Sequence, residues 1–259
     1  MNIAVCLKLV PATTADIKVA PDGKSLQLAG VEMVVNPYDE YALEAALKTR
    51  EAAAGSKIEA LSVGGDDASA KCLLHAFAVG VDTAVHVKDS NLDARGAAKA
   101  AAAVFKASKP DVIFCGRQAI DDDQWLFPGY LGELLGLPHA SAVSSITIAV
   151  DGKSATCKRR FEDGEQTLTV ALPAVISVDK GVGDPRSPTL KGRLDAKKKQ
   201  AAVKTPAELG VAGADAQAAL NIKQYAPPPQ KTPGKVINAP ATEAAAELVK
   251  LLRNEAKII

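Results

Sequence analysis

Three consecutive acids, Asp121, Asp122 and Asp123, are the residues of this chain best placed to do chemistry. Carboxylates grouped in this way act as general acids or bases, or as magnesium ligands. Adjacent side chains diverge, however, so one or two at most can meet a common ligand, and no nucleophile or phosphate-binding lysine stands beside them. The three histidines, His75, His86 and His139, fall on a helix, a strand and a loop. None has the cysteine or carboxylate spacing of a metal centre or a triad. There is no Gly-x-Ser-x-Gly elbow, no P-loop, and no Gly-x-Gly-x-x-Gly after the first strand. The four cysteines, Cys6, Cys72, Cys115 and Cys157, are widely spaced inside apolar runs and read as buried thiols of a reducing compartment. No catalytic residue and no metal ligand is therefore assigned.

The elements around the acids predict a binding loop. Asp111 to Cys115 is an apolar run of strand length that ends at Gly116. Beyond the acids, Pro128 and the series Tyr130, Leu131, Leu134 and Leu135 predict a helix running to Gly136. A strand that breaks at glycine, crosses a polar loop and re-enters as a helix is a common ligand site in α/β sheets, because unpaired helix amides point into it.

The preceding chain repeats the pattern. Strands are predicted at Ile3–Leu9, Glu59–Val63 and Thr83–Val87. Helices are predicted after Asn36-Pro37, with Asp39 and Glu40 in the first turn, over Ala68–Val79 and over Asp93–Lys106. Ile17 to Leu28, around Pro21-Asp22-Gly23, reads as an antiparallel hairpin. Strand and helix alternating at this spacing give parallel pairing and a doubly wound α/β sheet. Three loop tips then meet at the carboxyl ends of neighbouring strands: Cys6 to Val10, Val63 to Asp66 and Gly116 to Phe127. The helix start at Asn36 to Asp39 lies beside them. Such a pocket suits a nucleotide and would bind rather than catalyse.

After Pro138 the periodicity changes. Ser144–Val150, Ser154–Arg160 and Gln166–Leu172 alternate like strands about Asp151-Gly152-Lys153, and Pro173–Val178 follows; all are expected to extend the sheet in an antiparallel sense. From Asp179 onward the composition is that of a linker, with the Lys197-Lys198-Lys199 run as a solvated face. Ala201 to Lys235, with Pro227-Pro228-Pro229, reads as extended, and Thr242–Asn254 as a terminal amphipathic helix.

The 259 residues carry a formal net charge of +1. That balance gives no global reason for nucleic acid or an anionic membrane as partner. Neither a signal peptide nor an apolar run of membrane-spanning length is evident, so a cytoplasmic location, not membrane-inserted, is expected.

Separated motifs carry a resemblance. Asn36-Pro37-Tyr38-Asp39-Glu40, Gly116-Arg117-Gln118-Ala119-Ile120-Asp121-Asp122-Asp123, Arg159 to Leu168 leading into Leu172-Pro173-Ala174-Val175, and Asp184 to Leu190 before the lysines stand in order over the whole chain. Together they resemble the β subunit of electron transfer flavoprotein. The resemblance implies a heterodimer in which an α subunit holds the redox FAD and this subunit holds a structural AMP. Electrons would pass from acyl-CoA and related dehydrogenases to a membrane quinone oxidoreductase, in the bacterial cytoplasm. AMP contacts would fall on Cys6, on Asn36, Pro37, Tyr38 and Asp39, on Val63, and on Gly116, Arg117, Gln118, Ala119, Ile120, Asp121, Asp122, Asp123, Gln124, Trp125, Leu126 and Phe127. Pro185, Arg186 and Leu190 would form the partner-docking loop, with Leu190 as its anchor. The implied organisation is a nucleotide-binding core over residues 1-180, a recognition loop and lysine cluster over 181-200, and an arm over 201-259 that packs on the α subunit.

Two departures stand out. The family's loop commonly continues Asn-Gln-Thr-Gly where this chain has Trp125-Leu126-Phe127-Pro128, which removes polar side chains and one backbone N–H and implies a weakened or rearranged AMP cradle. Arg160 stands where some relatives carry an acid that restrains the flavin domain. A second FAD in place of AMP, as in flavin-bifurcating relatives, ranks behind, because Asp121-Asp122-Asp123-Gln124 does not match their Asp-Gly-Asp-Thr. A stand-alone adenine-nucleotide sensor would leave the chain beyond Asp179 unexplained.

Overall fold

The computed structural model describes residues 1–89, 92–213, 217–229 and 233–259. The chain opens with β1 (Asn2–Cys6), β2 (Leu9–Pro11), β3 (Lys18–Val19), β4 (Leu26–Gln27) and β5 (Met33–Val35). Helices and strands then alternate through α1 (Pro37–Ala52), β6 (Lys57–Val63), α2 (Lys71–Ala78), β7 (Thr83–Val87), α3 (Ala94–Ser108), β8 (Val112–Gly116) and α4 (Phe127–Leu135). Four strands follow, β9 (His139–Ile148), β10 (Ser154–Phe161), β11 (Gly164–Ala171) and β12 (Ala174–Val178), and then α5 (Leu190–Ala196), β13 (Ala202–Lys204) and α6 (Ala241–Asn254).

Nine strands form one sheet in the order β11-β10-β9-β12-β8-β1-β6-β7-β13. Every pair from β9 to β13 across that order is parallel, while β9, β10 and β11 pair antiparallel. Side chains alternate faces along a strand, which divides the core. Ile3 and Val5 of β1 join the cluster beneath α1 and α2 with Leu43, Leu47 and Phe77. Ala4 and Cys6 join the opposite cluster, beneath α3 and α4, with Phe105 and Leu131. Helices thus cover both faces, as the doubly wound reading requires.

Local chemistry explains the helix ends. α1 starts with Pro37, whose missing N–H costs nothing in a first turn, and carries Asp39 and Glu40 near its positive end. Asp93 caps α3 by accepting from the Gly96 N–H at 2.9 Å. Gly136, at φ 64°, closes α4 in the left-handed conformation that favours glycine.

The structure differs from the sequence reading in several places. Ile3–Leu9 is not one strand: Leu7 still donates to the Leu61 carbonyl at 2.8 Å, but the Lys8 N–H is taken by Asp39, and Leu9–Pro11 turns away to pair antiparallel with Met33–Val35. The second helix is preceded by a 3-10 turn, Asp67–Ala70. β12 is no outer antiparallel addition. All five of its residues are buried, and it lies mid-sheet, parallel to both β8 and β9. A continuous apolar run fits a strand covered on both faces.

The segment read as a linker folds into α5, whose Thr189 side chain accepts from the Gly192 N–H at 3.0 Å. Ala202–Lys204 adds a parallel edge strand to β7. Residues 214–216 and 230–232 of the expected extended stretch lie outside the described residues. α6 begins one residue before its expected start and buries none of its side chains. No helix among the described residues is long and apolar enough to cross a membrane.

Candidate functional site

The strand order reverses between β1 and β8, because β6 and β7 follow β1 on one side while β8 and β12 lie on the other. Carboxyl ends of strands at such a switch point are where open α/β sheets hold ligands. Asp39 spans this gap from the first turn of α1. Its Oδ2 accepts from the Lys8 N–H, just past β1, at 2.8 Å, and its Oδ1 accepts from the Gly116 N–H, the last of β8, at 3.1 Å. Burial pushes the Asp39 carboxyl up to about 7, against the opposing pull of these hydrogen bonds. Gly116 is needed there, since an added Cβ would collide with the Asp39 carboxylate and lie 2.8 Å from the Tyr38 and Asp39 backbone.

Asn36, 1% exposed, holds the next stretch of the loop. Its Nδ2 donates to the Gln118 carbonyl at 2.8 Å and its Oδ1 accepts from the Ile120 N–H at 3.3 Å. Arg117 is stacked between two rings, with its guanidinium carbon 4.5 Å from the Tyr38 centroid and 4.6 Å from that of Trp125. It also donates to Asp179 Oδ2 at 2.6 Å and to the Tyr38 hydroxyl at 2.8 Å. Lys8 Nζ donates to Asp121 at 2.8 Å and to Asp122 at 3.1 Å. Burial alone would lower the Lys8 pKa, but Asp121 and Asp122 overcome it and hold the ammonium above its ordinary value. Asp123, at φ 50°, accepts from the Gln118 amide.

The structure therefore brings together Cys6, Asn36 to Asp39 and the loop from Gly116 to Trp125. Most of their polar side chains bind each other, so Asn36 and Asp39 shape the loop from beneath. Cys6 ends β1 and is buried. Val63 and Phe127 pack on the apolar cluster under α3 and α4. Ala119 and Leu126 are backbone acceptors, for the Asp123 and Tyr130 N–H groups respectively, each within 3.0 Å. Lys8 lies within the loop tip expected at Cys6 to Val10, whereas sequence reasoning missed Asp179 as a member of the site. Asp179 follows directly on the buried strand β12, which was the available signal. The buried thiols are unreactive in character: burial pushes Cys72 and Cys157 up to about 11, and the neighbouring Cys6 together with burial raises Cys115.

The expected docking residues lie on a separate surface. The Arg186 side chain is turned inward, donating to both carboxylate oxygens of Glu44 at 2.8 Å and to Glu51 at 2.6 Å. Pro185 lines a small cleft beside Arg186, Glu44 and His75. Leu190 and Leu194, one turn apart on α5, are 77% and 54% exposed. At Gly192 an added Cβ would collide with the Ala78 carbonyl, so α5 lies backbone-close on the end of α2.

A doubly wound sheet with a loop cradle at its switch point defines a nucleotide-binding class of fold rather than one activity. The comparison with known proteins is narrower. Residues 25–209 match the family model described as electron transfer flavoprotein domain. The chain is 34% identical over 259 residues to the electron transfer flavoprotein subunit beta of Syntrophomonas wolfei, covering 100% of this chain and 98% of that protein. It is 34% identical over 263 residues to the subunit beta of Bacillus subtilis and 32% identical over 264 residues to the mitochondrial subunit beta of Oryza sativa subsp. indica, with both chains of each pair fully covered. The chain belongs to the electron transfer flavoprotein family, on its beta-subunit side.

Proposed function

We propose that this chain is the scaffolding and docking half of a heterodimeric electron carrier. An α subunit holds the FAD, which accepts electrons from acyl-CoA and related dehydrogenases and delivers them to a membrane quinone oxidoreductase in the bacterial cytoplasm. The end-to-end similarity to beta subunits carries this reading. The site fits it in kind, because the carboxylates of Asp39, Asp121, Asp122 and Asp123 are committed to neighbouring groups.

The switch-point loop is proposed to hold a structural AMP. Arg117 Nε and the side-chain oxygens of Gln118 and Gln124 are buried without a hydrogen-bond partner among the described residues, an unmet polar demand that a shift of these side chains on ligand binding would relieve. Backbone amides and Asp121 to Asp123 would line it, with Cys6, Val63 and Phe127 beneath. A second FAD in this place is the alternative reading, and a stand-alone nucleotide sensor a more distant one.

Leu190 is proposed as the anchor that enters a dehydrogenase pocket, with Leu194 beside it, while Arg186 and Pro185 set the loop's position. The test is reduction of the purified heterodimer by an acyl-CoA dehydrogenase and its substrate, followed at the flavin absorbance band. Rapid bleaching is expected. A flavin that stays oxidised with every acyl-CoA dehydrogenase offered would overturn the assignment of donors, and mass spectrometry of nucleotide released by denaturation separates AMP from FAD.

A further inference from the structure

We infer that Lys199 is a positioning residue for docking of the electron donor: it fastens the far end of α5 to the end of α2, so that Leu190 and Leu194 are presented outward. This rests on the docking reading of Leu190 above and names what holds that leucine in place.

The lysine run is not one solvated face. Lys198 Nζ pairs with Asp195 at 2.9 Å, on the surface and within its own turn. Lys199 turns inward instead. Its Nζ donates to the Val81 carbonyl at 2.7 Å and lies 5.3 Å from the centroid of the Phe77 ring. Both partners are buried residues of the core, Phe77 on α2 and Val81 just past its end. The carboxyl end of a helix gathers negative partial charge, so an ammonium is favoured there. Arg50 uses the same place, donating to the Gly80 carbonyl at 2.6 Å.

Such fastenings fall at both ends of the segment that carries the exposed leucines. Upstream, Lys48 Nζ donates to the Val182 carbonyl at 3.0 Å, and Arg186 binds Glu44 and Glu51. In the middle, Gly192 approaches the Ala78 carbonyl as closely as a residue without a Cβ allows. Downstream, the Lys199 N–H donates to the Ala196 carbonyl at 3.0 Å, so the lysine sits on the turn that directly follows α5. Ala196 is the one residue of α5 that is buried. A two-turn helix with a single buried side chain has little apolar grip of its own, so its polar fastenings decide where Leu190 and Leu194 stand.

The experiment is steady-state reduction of the purified heterodimer by the acyl-CoA dehydrogenase that reduces the wild type, with the heterodimer as the varied substrate, at low and at high salt. Lys199→Met keeps an apolar stem on Phe77 but removes the charge and the donor. It should raise KM for the heterodimer about three- to fivefold with kcat unchanged, and by the same factor at both salt concentrations. Lys199→Arg, which keeps a donor and the charge, should stay within about twofold of wild type. Added to Leu190→Ala, Lys199→Met should raise KM no further, because it acts through that leucine. An unchanged KM in a folded Lys199→Met protein would overturn the inference. So would an increase that disappears at high salt, which would belong to the surface charge of the run, or one that multiplies with the effect of Leu190→Ala. If Leu190→Ala itself leaves KM unchanged, or no acyl-CoA dehydrogenase reduces the wild type, the docking reading fails and the role of Lys199 with it.

Discussion

Asp39 does its structural work as a buried carboxylate, and this makes it pH-dependent. Its folded pKa, about 7, lies above the ordinary value of 3.8. Between these values the folded state holds a proton that the unfolded state has lost, so stability falls as pH rises. The contribution is fully present below about pH 4 and lost once pH has passed through about 7. Asp39→Asn removes the titration, so the wild-type-minus-variant difference in urea unfolding free energy should fall from pH 4 to pH 8; a difference that stays flat would contradict the burial argument. Gly116 offers a steric counterpart. Gly116→Ala must displace the Tyr38–Asp39 backbone and should cost about 1–3 kcal/mol, read as a lower urea midpoint. The strand, loop and helix around the acids were legible in sequence, but the partners of the acids were not. That Lys8 reaches Asp121 and Asp122 across more than a hundred positions is a property of the sheet order, which no local pattern encodes.

At the scale of elements, α5 and the loop before it combine a pinned base with an exposed tip. Glu44 is nearly buried, its side chain 5% exposed, and Arg186 is its partner. Arg186→Ala leaves that carboxylate without its cation and should destabilise the protein by roughly 2 kcal/mol, less than for a fully buried pair because Arg186 itself is a third exposed. Glu51→Ala, at a 55% exposed partner, should cost about 0.5 kcal/mol or less. Leu190→Ala should leave the melting temperature unchanged and slow electron transfer from the dehydrogenase about tenfold or more, the effect of losing one buried leucine; an unchanged rate would remove its anchor role. The helices and the central parallel strands were readable because caps, prolines and apolar runs are local signals. α5 and β13 were not, since short elements of two turns or three residues are fixed by the surfaces they pack on, here the end of α2 and the edge of β7. β12 was read as a strand but misplaced, because strand order is decided by non-local pairing.

On the scale of the whole molecule, the proposed division is a core over residues 1-180, a docking segment over 181-200 and an arm over 201-259. α6 belongs to that arm. It buries none of its residues within this chain, although Leu248 and Val249 lie 49% and 45% exposed on it. An amphipathic helix with an uncovered apolar face is what a subunit interface leaves behind when its partner is removed. Leu248→Asp should therefore weaken assembly with the α subunit while leaving the isolated chain's melting curve in place. The most direct measurement is co-expression of this chain with its α partner, followed by mass determination and a visible spectrum of the purified product. The account predicts a one-to-one complex, yellow, with one FAD for each pair and a nucleotide released from the β chain on denaturation. A colourless protein in which this chain runs alone, with no flavin absorbance, would contradict it.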